Sequence, residues 1–255
     1  MNDIKPSVPK GQKDLSAEWD LLAEERHRQI VSGEDLSFEY ILVPMTFHLL
    51  ENADAELVID IGSGTGDITA RLSRIAKRVI GIEPSRRSVS VAKTTCVDLP
   101  NVQFIEGSLE QIANLLRDEP ITAAVACMTL MTAPQLEGFA TAVAALLGSG
   151  GKFVATIVHP WFWPRYWGYE NAYWFDYKKE IFIEAPFVIS KRRTQIRTTH
   201  IHRPLEQYLR IFAAAGFHLE VLLEPMPPPE IEAFYPHPWQ FPRFIGLRWA
   251  KNAKG

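Results

Sequence analysis

Cysteine is scarce in this chain of 255 residues: Cys96 and Cys127 are the only two. Their separation fits neither a disulfide framework nor the short spacings of a metal site. Cys127 closes an apolar run, as a small core or pocket-lining residue does. Long apolar runs are lacking too, and none approaches the ~20 residues that cross a bilayer. Neither sign of charge dominates, with 27 Lys and Arg against 30 Asp and Glu. No basic block supplies the electrostatic footprint of a nucleic-acid binder. The densest basic run, KRRTQIR at Lys191–Arg197, reads as the solvated face of a strand. The start, MNDIKPSVPKGQKD, is polar and without the pattern of a secretory signal. These absences lead us to expect a cytoplasmic protein that binds neither membrane nor nucleic acid. The length allows one large α/β domain with attachments.

What the chain does have is concentrated in VIDIGSGTGDIT, Val58–Thr69. A β-branched run, with Leu57 before it, ends in Gly62, Gly64 and Gly66 and passes into a helical pattern. That is the signature of a buried parallel strand turning sharply into a helix. Glycines there can take positive φ and bring backbone N–H groups close to a ligand where a Cβ would collide. A dinucleotide turn wants G-x-G-x-x-G, with a diphosphate on the helix N-terminus. Here the third glycine comes one residue early, and Asp67 stands where the last glycine would be. Asp67 suits the helix dipole but would repel a diphosphate. Asp60, just before the turn, is placed to accept hydrogen bonds from a cationic amine. The ligand implied has an adenosine-like body and a positive end.

The ordered set of motifs resembles the class I S-adenosylmethionine-dependent methyltransferases over roughly Leu57 to Lys251. The glycine turn, with Ser63 inside it, matches the family's first motif. Glu83 in VIGIEP, followed by Pro84, ends the next strand-like run twenty-one residues after Gly62. The resemblance implies that it takes both ribose hydroxyls, a role shared with NAD-binding folds. NVQFIEGSLEQI resembles the segment that holds adenine, which makes Gly107, Ser108 and Leu109 cofactor candidates; relatives often carry Asp where Ser108 stands. ITAAVACMTLMTAP resembles the fourth strand and the rim of the methyl-transfer pocket, with Met128 beside the cofactor and Met131 toward the substrate. LLGSGGKFVATIVHP looks like the glycine turn into the fifth strand. The implied fold is a Rossmann-like seven-stranded sheet of order 3-2-1-4-5-7-6 with an antiparallel last strand. The implied cofactor is S-adenosyl-L-methionine, leaving as S-adenosyl-L-homocysteine, without a metal.

Around this core, residues 1–50 read as a tail and a helical lid, and 51–255 as the methyltransferase domain. Residues 1–14 are polar and read as mobile. A helix follows over Leu15–Gly33 and a second begins near Ser37. Trp19 and Arg26 lie on this lid as cofactor contacts, Arg26 facing either the methionyl carboxylate or a substrate anion; an exposed helical arginine is the alternative. Tyr40 is a substrate candidate in the same position. Strands are predicted near 57–61, 79–83, 102–105, 121–127 and 152–158. Helices are predicted near 66–76, 86–97, 109–117 and 135–147. A proline-initiated helix, a strand and the last strand then close the chain, with residues 226–241 as an irregular surface connection.

The insertion at 160–201 stands apart. WFWPRYWGYENAYWFDY, Trp161–Tyr177, holds four of the seven Trp and four of the seven Tyr. Two strand-like runs follow it as a hairpin. In open α/β folds ligands bind at this carboxyl edge of the sheet. Trp161, Trp163, Trp167 and Trp174 are therefore candidates to stack a flat substrate and face the sulfonium by cation–π attraction. A packed flap or a dimer surface uses aromatics equally well. His159, at the end of the fifth strand, is a candidate general base, or else it fixes the flap. His200 and His202 share one face of an extended segment and are further catalytic candidates. The reading is methyl transfer to O, N or C of a small planar metabolite by a monomer or homodimer. Against nucleic-acid and protein methylation stand the missing D/N-P-P-Y/F/W motif and glutamate pair; a non-catalytic scaffold is the remaining rival.

Overall fold

The computed structural model describes residues 3–189 and 192–253. Ser190 and Lys191, the latter opening the basic run noted above, lie outside them. A two-residue strand β1 (Lys5–Pro6) leads into α1 (Gln12–Val31), a π-helical turn at Phe38–Leu42, and α2 (Val43–Leu49). Strands and helices then alternate: β2 (Leu57–Ile61), α3 (Asp67–Leu72), β3 (Arg78–Glu83), α4 (Arg86–Thr95), β4 (Val102–Glu106), α5 (Leu109–Ile112), β5 (Ala123–Cys127), α6 (Leu136–Leu146) and β6 (Lys152–Val158). The flap consists of α7 (Trp163–Trp167), β7 (Ile181–Ile189) and β8 (Arg192–His202). Finally come α8 (Leu205–Ala214), β9 (Phe217–Leu223), α9 (Pro229–Glu232) and β10 (Phe244–Lys251).

The main sheet runs β4-β3-β2-β5-β6-β10-β9. Its first five strands are parallel, and β10 is antiparallel to both β6 and β9. This is the order 3-2-1-4-5-7-6 expected from the sequence. All five residues of β2 are buried, because helices cover both faces of a parallel sheet. Its side chains alternate accordingly: Leu57, Ile59 and Ile61 join the core under α6 and α8, while Val58 joins the core under α2 and α3. Toward the antiparallel edge, Phe153 of β6, Phe212 of α8 and Trp249 of β10 pack against one another, with ring centroids 4.9 Å (Phe153–Phe212), 5.4 Å (Phe153–Trp249) and 4.6 Å (Phe212–Trp249) apart.

Three parts differ from the sequence reading. The start is not a free tail: Lys5 and Pro6 pair antiparallel with Glu184 and Ile183 of β7, and the first helix begins at Gln12. Lys10 adds ion pairs to Glu18 at 2.6 Å and Glu184 at 3.1 Å. The second helix opens with a π-helical turn. Residues 226–241 are not a surface connection throughout, since Tyr235 and Trp239 are buried in the core beside Phe244. The predicted hairpin after the aromatic run is present as β7 and β8, joined by β1 in a separate three-stranded sheet.

Trp249 is 1% exposed and stacks on two rings. Trp249→Ala should lower stability by about 3–5 kcal/mol, the range for deleting a buried aromatic, in urea unfolding. A loss below about 1 kcal/mol would contradict this packing.

Candidate functional site

The site forms where β2 and β3 end side by side. Asp60 lies in register with Gly81, and the backbone N–H groups of Gly62 and Ser63 donate to the Ile82 carbonyl at 2.7 and 3.1 Å. Gly62, Gly64 and Gly66 have φ of +70°, +53° and +85°, which side chains other than glycine rarely tolerate. At Gly62 sterics add to conformation, for a Cβ would stand 2.3 Å from Thr129 Oγ1. Gly64 faces open space. The backbone there borders a cavity, and its N–H donates to Glu83 Oε2 at 2.9 Å.

Two carboxylates lie buried beneath this turn. Asp60, 1% exposed, accepts from Thr69 Oγ1 at 2.6 Å. Glu83 accepts from the Ser85 and Gly64 N–H groups at 2.7 and 2.9 Å. Neither has a cationic partner among the described residues. Burial pushes the Asp60 carboxyl up to about 7 against the opposing hydrogen bond from Thr69. Burial likewise pushes Glu83 up to about 7, with the two backbone donors opposing it and the Asp60 and Asp20 charges adding to it. Beside them Ser63 Oγ is buried with no hydrogen-bond partner. Such a wall suits a ligand that brings hydroxyl donors and a positive charge.

The cavity above this wall is also lined by Pro84, Gly107, Ser108, Leu109 and Met128, and by Trp19 and Arg26 of α1. Gly66 does not line it. Its Cβ position faces Ala92 and Phe104 at 3.1–3.2 Å, so close packing of α3 on α4 accounts for this glycine. Ser108 caps α5 in a box with Gln111. Met128 has φ +58°, a conformation costing about 1–3 kcal/mol in a non-glycine residue. Hydrogen bonds from its N–H to the Thr156 carbonyl at 2.9 Å and hydroxyl at 3.2 Å hold it there.

A second cavity adjoins the first. Trp19, Arg26, Leu42, Met128 and Thr132 line both. Its further walls are Met131, Trp163, Trp167 and His200 among the predicted residues, with Tyr166, Phe187, Thr198, Arg243 and Phe244, which the sequence reading missed. Trp163 Nε1 is buried without a partner. Arg26 pairs with Asp35 at 2.7 Å and lies over Phe38 and Phe187. It is thus no free helical arginine. Phe187 and Arg243 sit far from the glycine turn in the chain, and no local motif marks them.

Besides Gly66, five candidates lie on neither cavity. His159 donates from Nε2 to Glu224 at 2.7 Å, and its Nδ1 accepts from the Trp161 and Phe162 N–H groups. Both ring nitrogens are taken, so His159 fixes the entry to the flap and has no lone pair for a substrate proton. His202 donates to the Tyr177 carbonyl at 3.0 Å. Trp161 is 62% exposed and packs edge-on against Tyr177. Trp174 stacks on Tyr169, and Tyr40 is 43% exposed. His200 meets Tyr169 Oη at 3.3 Å. Burial, helped by His202, brings its pKa down to about 3, so the ring is neutral at pH 7.

With this geometry in place, residues 58–151 match the family described as methyltransferase domain. A methyltransferase of Oceanobacillus iheyensis, itself uncharacterized, is 30% identical over 37% of this chain and 42% of its own length. Demethylmenaquinone methyltransferase of Tropheryma whipplei is 29% identical over 39% of this chain and 40% of its own. The matches therefore span about two fifths of these relatives. An S-adenosylmethionine dependent methyltransferase structure from Mesorhizobium loti superposes with a TM-score of 0.58 at 18% identity, covering 82% of this chain and 96% of that one. Residues 58–151 are thus similar to a methyltransferase domain, and the seven-stranded sheet around them has the fold of S-adenosylmethionine-dependent methyltransferase structures. Among the described residues no helix is long and apolar enough to cross a membrane.

The raised carboxyls give a pH signature. Asp60 and Glu83 keep their protons in the folded chain up to about pH 7, whereas ordinary carboxyls lose them near pH 4. Between those values folding takes up protons, so their contribution to stability falls as pH rises. Asp60→Asn should flatten the pH dependence of urea unfolding between pH 5 and 7. An unchanged slope would mean that Asp60 ionises normally.

Proposed function

We propose that this protein transfers a methyl group from S-adenosylmethionine to O, N or C of a small planar metabolite. The observation that carries the reading is the pair of adjoining cavities. One is floored by two buried carboxyl groups without an ion-pair partner among the described residues and the other partly walled by aromatic rings, and they meet at Met128. Asp60 and Glu83 would hold the cofactor's amine and ribose ends, with Ser63 Oγ as a further hydrogen-bonding group. Bound there, S-adenosylmethionine supplies an electrophilic methyl group on a cationic sulfur. Trp163, Trp167 and Phe187 would hold a flat acceptor against the Met128 junction, so alignment and exclusion of water are the chain's main contributions. His200, neutral and strongly disfavoured as a cation, serves this site as a hydrogen-bonding group better than as a proton acceptor. The acceptor must therefore be acidic enough to release its proton to water or be deprotonated already. Enclosure by α1 and the flap favours a small molecule over a polymer, and the want of a basic stripe argues against nucleic acid.

Tritiated S-adenosylmethionine incubated with the protein and a cell extract should label small molecules; label confined to protein or nucleic acid would overturn the substrate class. Glu83→Ala should weaken S-adenosylhomocysteine binding by about 1.5–3 kcal/mol in calorimetry, and unchanged affinity in a folded variant would remove the assignment. Trp163→Ala should raise the acceptor KM several-fold and leave cofactor affinity alone.

A further inference from the structure

The second cavity carries a charge that no ion pair among the described residues answers, although Tyr166, Tyr235 and Glu232 favour it electrostatically. Arg243 is 6% exposed, and its guanidinium lies over the rings of Tyr166 at 4.0 Å and Trp239 at 4.3 Å, with Tyr235 at 5.6 Å. Cation–π attraction occupies its faces and leaves the N–H groups in the plane. One of these, on Nη2, donates to the His237 carbonyl at 3.3 Å. Among the described residues no carboxylate forms an ion pair with Arg243. A buried guanidinium without an anion is costly, and burial already pulls its pKa down from the ordinary arginine value.

The other charged groups on the cavity wall do not compensate it. Asp35 is the wall's one acidic residue, and it is taken by Arg26 at 2.7 Å. His200 is neutral. The cavity therefore carries a net charge of about +1. A second unanswered donor, Trp163 Nε1, is buried on the same wall. The two unanswered groups are both donors, and only an acceptor-rich ligand completes them.

We infer that the acceptor substrate carries a carboxylate or equivalent oxyanion, and that Arg243 selects it through in-plane hydrogen bonds. The inference rests on the second cavity being the acceptor site of the proposed methyl transfer. It names the substrate class as planar aromatic acids. A guanidinium fork matches a carboxylate in two parallel hydrogen bonds. The rings that cage it keep the fork in place before the ligand arrives. The same charge disfavours cationic amines, which would place a second positive group in a cavity already at about +1.

Calorimetry with 4-hydroxybenzoate, salicylate and indole-3-carboxylate, each paired with its neutral amide, tests this. At least one acid should bind on the order of tenfold or more tightly than its amide, as charge-assisted hydrogen bonds allow. The preference should collapse in Arg243→Gln. Should that variant not fold, as judged by circular dichroism, Arg243→Lys carries the same reading, because it keeps a cation in the cage but withdraws the planar fork. No acid-over-amide preference in the native protein, or a preference that survives substitution of Arg243, overturns the inference. S-adenosylhomocysteine is titrated separately. Its failure to bind sinks the methyltransferase reading, whereas its binding beside acids that show no preference sinks only the role of Arg243.

Discussion

Asp60 and Glu83 end adjacent parallel strands, and the register of β2 on β3 brings both carboxylates beneath one turn without a cation between them. Much of the neighbouring structure follows from keeping that burial tolerable. The turn above must present backbone N–H groups rather than side chains, and the N–H groups of Gly64 and Ser85 meet the Glu83 oxygens. The first residue of the turn must be glycine because Thr129 fills the space a Cβ would need. Thr129 is fixed in turn by a hydrogen bond to the Ile61 carbonyl. The carboxylates stay poised because their helpers are neutral donors, which moderate the charge without cancelling it.

The two cavities differ in what is set into largely apolar walls. Around the first, Asp60, Ser63, Glu83 and the backbone of the glycine turn supply the hydrogen-bonding groups. Around the second, Trp19, Trp163, Tyr166, Trp167, Phe187 and Phe244 supply rings, with charge confined to the Arg26–Asp35 pair and to Arg243. Met128 stands at the boundary in a left-handed conformation, held by Thr156 of β6. Strained backbone of this kind is maintained only where its surroundings over-determine it.

The sheet and the first cavity were legible in the sequence because they are local. A β-branched run, three glycines and an acidic residue at the next strand end each leave a mark within a few residues, and Asp60, Gly62, Gly64 and Glu83 lie where that marking predicted. The second cavity is assembled from distant segments, which is why Phe187 and Arg243 escaped notice while Trp163 and Trp167 stood out by density alone. His159 misled for the same reason. Its place after β6 is a matter of sequence, but Glu224, which occupies its Nε2, arrives from the far end of the chain. Residues 226–241 looked like surface because of their prolines, yet two aromatics within them close the core against Phe244.

The short pairing of Lys5 and Pro6 with β7 links the beginning of the chain to the flap. From there α1 packs against α4, where Asp20 accepts from Ser85 Oγ and the Arg87 N–H, and Glu24 pairs with Arg87. Trp19 and Arg26 on this one helix border both cavities. Under the proposed function, a displacement of α1 that admits one ligand would uncover the compartment of the other, and their dissociation rates would be coupled although their contacts are separate.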